Sequence, residues 1–281
     1  MIFFNHDAWH DKCFSADAPW EARGKRLEST TLGDQMKHDL KMVGLLAMGM
    51  LGANGAQASL IADGPGLVYD NVANVTWSSN ANLFATMQAS NPSLVNQIIA
   101  AVPTVHDTPN FYDNAGPGNY KLSASNFNTA YYMDWWGGMA FMGYLNSIDY
   151  LGHNTWELPT TYGQNCLGSN CINSMMGELF YTGLGGTAGQ SIAARHNASY
   201  SLFTNIQNSA YWSGTEYASN PNYAWSFYTN NGAEYEYNKN GSSYAWAVLP
   251  GQAGAAVPEP ASLALFGIGL LGLLAVRRRR G

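Results

Sequence analysis

The chain has 281 residues, with 46% hydrophobic and only 11% charged side chains and a formal net charge of −6. Between Ser59 and Gln252 just three basic residues (Lys121, Arg195 and Lys239) stand against eleven acidic ones, a net charge of −8. Such a surface repels phosphate backbones and anionic lipid headgroups, which excludes nucleic-acid binding as a function of this region.

The first 35 residues are charged and aperiodic and precede a second start, Met36. They read as a mis-annotated leader. From Met36 the chain has the layout of a secretory signal peptide at 36–58. Lys37 and Lys41 form its basic region, Val43 to Leu51 its apolar region, and Ala56-Gln57-Ala58 a small-residue cleavage site. Export through the Sec translocon and cutting by signal peptidase after Ala58 are the expectation. The exported part, 59–252, suits one domain with a sizeable core.

In "GLVYDNVANVTWSS", Leu67-Val68-Tyr69 and Val75-Thr76-Trp77 read as short strands about a turn. "SLVNQIIAAV" places Leu94, Val95, Ile98, Ile99 and Val102 on one helical face, with Ser93 as N-cap and Pro103 as stop. Residues 104–126 are rich in turn formers and carry no periodic signal. A second helix is expected over Ala130 to Asn146, its glycines at 137, 138 and 143 allowing another backbone to come close. A third is expected over Ser174 to Gly183, burying Met175, Leu179 and Phe180.

Cys13 lies in the leader, which leaves Cys166 and Cys171 in "CLGSNC". An even pair in a Gly/Asn loop of an exported chain reads as a disulfide; a zinc pair is the alternative and would need two further ligands. Further on, Tyr223/Trp225/Phe227, Tyr235/Tyr237 and Tyr244/Trp246/Val248 alternate with small or polar residues. Asn-Gly turns at 231–232 and 240–241 separate them, so an antiparallel meander of three strands is expected. Helices early and sheet late make the fold class α+β.

Chemistry-bearing patterns are scarce. There is no nucleophile elbow, no zinc-protease helix and no phosphate loop, and His106, His153 and His196 are isolated. Glu234 and Glu236 lie two apart on a strand, about 7 Å by strand geometry, a spacing at which two carboxylates can cleave glycosides. The alternative has Tyr235 and Tyr237 facing inward and both glutamates solvated. Trp156, Trp212, Trp225 and Trp246 are spaced as core residues. No catalytic set, metal or cofactor is expected. The competing reading is an enzyme on extracellular polysaccharide using pairs among Glu234, Glu236 and Asp134.

At the C-terminus, after a linker at 253–257, Val257-Pro258-Glu259-Pro260 leads into an apolar run, Ala261 to Val276, and the block Arg277, Arg278, Arg279, Arg280. As a helix the run reaches roughly 24 Å, short of the ~30 Å hydrocarbon core but within reach through arginine snorkelling. The arginines set a cytoplasmic end. This tail, 258–281, resembles a PEP-CTERM sorting signal. The resemblance implies transient retention in the inner membrane by a transmembrane helix at 261–276, removal of the tail by an exosortase, and delivery to the cell surface or an exopolysaccharide matrix. The domain 59–252 is similar to Lcl C-terminal domains, through "GLVYDNVANVTW", Trp135-Trp136, "WELPT", "GELFYTGLG", "YWSGTEY" and "YAWAVLPG". That resemblance implies a single domain of C-type-lectin-like or formylglycine-generating-enzyme-like fold. The family usually has arginine at the positions of Glu157 and Leu249, and the calcium-lectin triplets are missing, so neither anionic-glycan binding nor calcium-dependent sugar binding carries over. The expected protein is a non-catalytic surface or matrix protein of biofilm-forming cells.

Overall fold

The computed structural model describes residues 60–254 apart from positions 129, 131 and 164. The leader, the signal peptide and the sorting tail with its expected helix at 261–276 lie outside the described residues. Among those described, no helix is long and apolar enough to cross a membrane.

The chain opens with three antiparallel strands, β1 (Leu60–Ala62), β2 (Leu67–Asp70) and β3 (Val75–Ser78). The expected β2–β3 hairpin forms, with Asn74 at φ 51° in its turn. Asp70 shapes that turn by accepting the Val72 and Ala73 N–H groups at 3.0 and 3.1 Å. α1 (Leu83–Ser90) follows, capped by the Asn82 side chain on Ala85 N. α2 (Leu94–Ala101) buries Leu94 and Ile98 as the periodicity requires. Ser93 makes no side-chain cap there; instead Asn91 Oδ1 accepts the Ser93 N–H and turns the chain into the helix.

The stretch without periodic signal holds a hairpin of β4 (Thr104–His106) and β5 (Asn119–Lys121), then a short 3₁₀ turn, Ala124–Asn126. α3 spans Trp135–Ser147, so it starts five residues later than expected. Asn128 Oδ1 holds the Ala130 and Tyr132 N–H groups in a turn, and Asp134 caps the helix by accepting Gly137 N at 2.8 Å. Its glycines do admit close neighbours. A Cβ at Gly137 would lie 2.9 Å from Asn126 O, and one at Gly143 only 2.7 Å from the Val102 side chain. After β6 (Gly168–Ser169), the third helix occupies its expected span in two forms: α4 (Met175–Glu178), capped by Ser174, and one π-turn, Leu179–Gly183.

The late sheet departs from the expected meander. β7 (Ala210–Glu216), β8 (Tyr223–Tyr228) and β9 (Ala233–Asn238) are consecutive antiparallel strands, and Gly232 at φ 74° closes the β8–β9 turn. The segment expected as a third meander strand is not a neighbour of β9. The far edge of β9 is already taken by β6, giving the order β6-β9-β8-β7. Residues 243–247 cross to the other sheet instead, where β10 (Val248–Pro250) pairs with β3. Trp246 anchors the crossing: its Nε1 donates to Ser78 O at 2.8 Å, and its ring meets Trp77, Phe203 and Tyr211.

The class is therefore α+β with two four-stranded antiparallel sheets. One apolar cluster joins α1, α2 and α3 to Trp212 and Leu249; the other joins Trp77, Phe180, Tyr211, Phe227 and Trp246. Trp156, Trp212, Trp225 and Trp246 are all buried, as their spacing predicts.

Candidate functional site

The carboxylates singled out in the sequence go to separate places. Glu234 on β9 is not solvated: it is 1% exposed, and its Oε1 accepts from Thr161 Oγ1 at 2.7 Å. Burial pushes its carboxyl up, while Thr161 and Ser174 hold it down. Tyr235 and Tyr237 are correspondingly exposed, the reverse of the expected phase. The reason is β6, which pairs outside β9 and brings the Thr161–Ser174 bridge over Glu234. Glu236 is half-buried across from Trp225. Asp134 serves as the cap of α3 and accepts Asn126 Nδ2 at 2.6 Å; burial raises its carboxyl to about 6. His106 and His196 are exposed, with His196 stacked on Tyr200.

A second polar centre escapes the sequence altogether. Lys239 is fully buried, its Nζ 2.7 Å from Asp107 Oδ2 and 3.0 Å from Glu216 Oε2. The ammonium lies 4.4 Å from the Trp135 ring centroid, a cation–π contact. Asp107 Oδ2 also accepts Trp136 Nε1 and Asn110 Nδ2, each at 3.0 Å. The network ties the β4–β5 hairpin, α3, β7 and the turn after β9 to one charge. The one available signal was a lysine in a domain with only three basic residues, placed just before an Asn-Gly turn.

The third centre surrounds the disulfide loop. Cys166 and Cys171 are bonded, with a Cα–Cα distance of 5.6 Å, which removes the zinc alternative. Asn170 N donates to Tyr181 Oη at 2.8 Å, and Tyr181 Oη donates to Gly232 O at 2.6 Å, so the ring is moored to the β8–β9 turn. Apolar side chains remain exposed about it: Tyr162 (61%), Leu167 (49%), Ile172 (64%) and Tyr235 (44%). Tyr162 N bonds to Asn173 O, next to Ile172. The Gly168↔Glu234 register sets Leu167 across from Tyr235. These two pairs of exposed apolar side chains are the rim of the loop.

Beneath Tyr162 two carboxyl groups meet. Glu178, at the end of α4, lies within hydrogen-bonding reach of Asp70 and is 8% exposed. Asp70 Oδ1 takes two backbone N–H groups and Oδ2 the Trp77 Nε1–H, so Asp70 is committed as an acceptor. Neither Glu178 oxygen has a donor in hydrogen-bond geometry. Burial first, then the hydrogen bond and charge of Asp70, push the Glu178 carboxyl up to about 8, with Thr182 pulling the other way. Burial, then Glu157, Asp70 and Glu178, raise the Tyr162 phenol. Of the two positions where arginine was anticipated, Glu157 is exposed and Leu249 is packed in the core at 1% exposure. Among the described residues no group of three or more His, Cys, Asp or Glu side chains is placed to hold a metal.

Residues 66–249, which hold most of these two sheets and the helices between them, match the model of the Lcl C-terminal domain family. The chain belongs to that family. Residues 256–280 match the PEP-CTERM protein-sorting motif, which marks it as an exported, exosortase-sorted protein destined for the cell surface or beyond. No curated protein and no solved structure matches the chain.

Proposed function

We propose that this is a non-catalytic surface or matrix protein, whose domain is carried out of the cell and then held among neutral extracellular polymers by the rim around the disulfide loop. Signal peptidase cuts after Ala58. The tail helix at 261–276, stopped by Arg277–Arg280, retains the chain in the inner membrane until exosortase cuts at Val257-Pro258-Glu259-Pro260. A C-type-lectin-like arrangement is supported by β10 pairing with β3, which returns the C-terminal strand to the N-terminal sheet.

The observation that carries the reading is the rim itself. Tyr162, Leu167, Ile172 and Tyr235 stay exposed on a loop stiffened by a disulfide, and a patch of that kind marks an interaction site. No basic residue belongs to it, so a polyanion gains nothing there. The test is co-sedimentation of the processed protein with exopolysaccharide from a producing host. Tyr162→Ala with Ile172→Ser is expected to leave the protein in the supernatant; unchanged sedimentation sinks the assignment of the rim.

An enzyme on the same polymer is the second reading, and the buried pair of Glu178 and Asp70, with the Glu178 carboxyl pushed up, is the feature in its favour. Distance weighs against it. Retaining glycosidases set their carboxyls about 5–5.5 Å apart, whereas these two are within hydrogen-bonding reach. Release of new reducing ends by wild-type protein, abolished in Glu178→Gln, is the result that would restore the enzyme.

A further inference from the structure

On the helical side of the domain, the corner between α1 and α2 opens into a groove of about 470 Å³. The volume falls within the range of small-ligand sites. Its lining is Phe84, Gln88, Val95, Asn96, Phe127 and Asn128, with Pro92 and Ala124. Not one of these is ionisable.

The polar atoms are disposed unequally. Gln88 Nε2 donates to Pro92 O at 3.4 Å, while Gln88 Oε1 is buried with no donor. Asn128 is the converse case: its Oδ1 is spent on the Ala130 and Tyr132 N–H groups, which leaves its NH₂ end to donate. Between them the wall is apolar, with Phe84 and Phe127 stacked at 5.7 Å. A buried carbonyl oxygen without a donor has lost its water and gained nothing in return, so the wall selects for a ligand that supplies one.

From this arrangement we infer that the groove is a binding site for a neutral saccharide. A hydroxyl donates to Gln88 Oε1, a neighbouring ring or hydroxyl oxygen accepts from Asn128 Nδ2, and the C–H face of the sugar lies on Phe127. An anionic sugar meets no cation here, and a lipid chain would leave the amides of Gln88, Asn96 and Asn128 unanswered. The inference deepens the matrix reading, on which its biological sense rests, by naming a site and a ligand class separate from the rim.

The test is saturation-transfer NMR on the processed protein recovered from producing cells, with cellopentaose and maltopentaose as neutral probes and oligogalacturonate as the anionic control. At least one neutral probe is expected to receive saturation and the control none. Gln88→Leu keeps the side-chain volume but removes the acceptor, and is expected to weaken binding by about tenfold, the worth of one hydrogen bond. Asn96→Arg, an exposed change at the lip that leaves the core untouched, is expected to do the same by obstructing entry. Failure of both neutral probes, or wild-type affinity in both variants, overturns the site. Polymer sedimentation by the same samples separates the two ideas. Protein that binds a probe yet does not sediment keeps the groove and loses the matrix reading; protein that sediments while neither neutral probe binds does the opposite.

Discussion

Replacing Glu178 by glutamine preserves the shape of the protonated acid and removes its ability to ionise. In the folded protein the carboxyl is raised from 4.5 to about 8. Between those values the native state keeps a proton that the unfolded chain has lost, so stability falls as pH rises. The contribution of Glu178 is complete below about pH 4.5, declines up to about pH 8, and is level beyond. At about 1.36 kcal/mol per pH unit the ceiling is near 5 kcal/mol. Solvent at the edge of the side chain screens the charge, and about 2 kcal/mol is the working figure. Wild type and Glu178→Gln should therefore be nearly equal at pH 5, while at pH 9 the variant should melt about 4–8 °C higher, as a domain of this size predicts. Thermal melts of both proteins across that range, taken as a difference, cancel every other titration. A difference that stays flat with pH would refute the shared proton.

Lys239→Met strands Asp107 and Glu216 beside Trp135 and should cost about 3–5 kcal/mol in urea unfolding; a loss under ~1 kcal/mol would show that the buried charge is not held as described. Trp246→Ala should cost about 3–5 kcal/mol, since it empties the junction of the two sheets and frees Ser78 O. Cys166 and Cys171 should resist alkylation in exported protein until reduced, and reduction should lower stability by roughly 2 kcal/mol; free thiols in untreated material would contradict export before folding. Pro258→Ala with Glu259→Ala leaves the apolar run and the arginines intact, so the chain should insert but stay uncut; normal release of that variant, read by mass spectrometry of the surface fraction, would remove those residues from the processing step.

Local patterns were legible where one partner lay nearby. β2 and β3 face each other across a four-residue turn, α2 repeats its apolar positions at helical spacing, and Asn-Gly closes β8 onto β9. α1 was not legible because only Leu83 and Phe84 are buried, both in its first turn, and the cap is an asparagine in a run of asparagines. The phase of β9 was misjudged for a different reason. Alternation says that Glu234 and Tyr235 face opposite ways but not which way is in, and the decision belongs to Thr161, 73 residues distant. The same holds for the third meander strand, whose alternation was real but whose partner was β3 rather than β9.

The acidic excess looks different once its members are placed. Asp70, Asp107, Glu178 and Glu234 lie inside the domain, where they accept from N–H, O–H or ammonium groups or share a proton, so the surface is less anionic than the composition implies. Asp63 belongs with them and connects the interior to the sorting function. It is 3% exposed and accepts from Gln252 Nε2 at 3.0 Å, Ala253 N at 3.2 Å and Gly254 N at 2.6 Å, while Thr76 Oγ1 also reaches Ala253 N. The domain is thus fastened to its exit up to Gly254, and Pro258 follows after only Ala255, Ala256 and Val257. The sorting motif Pro258-Glu259-Pro260 thus begins four residues beyond the last one that Asp63 holds, so the acid that closes the domain's C-terminal end is also the described anchor next to that motif in sequence.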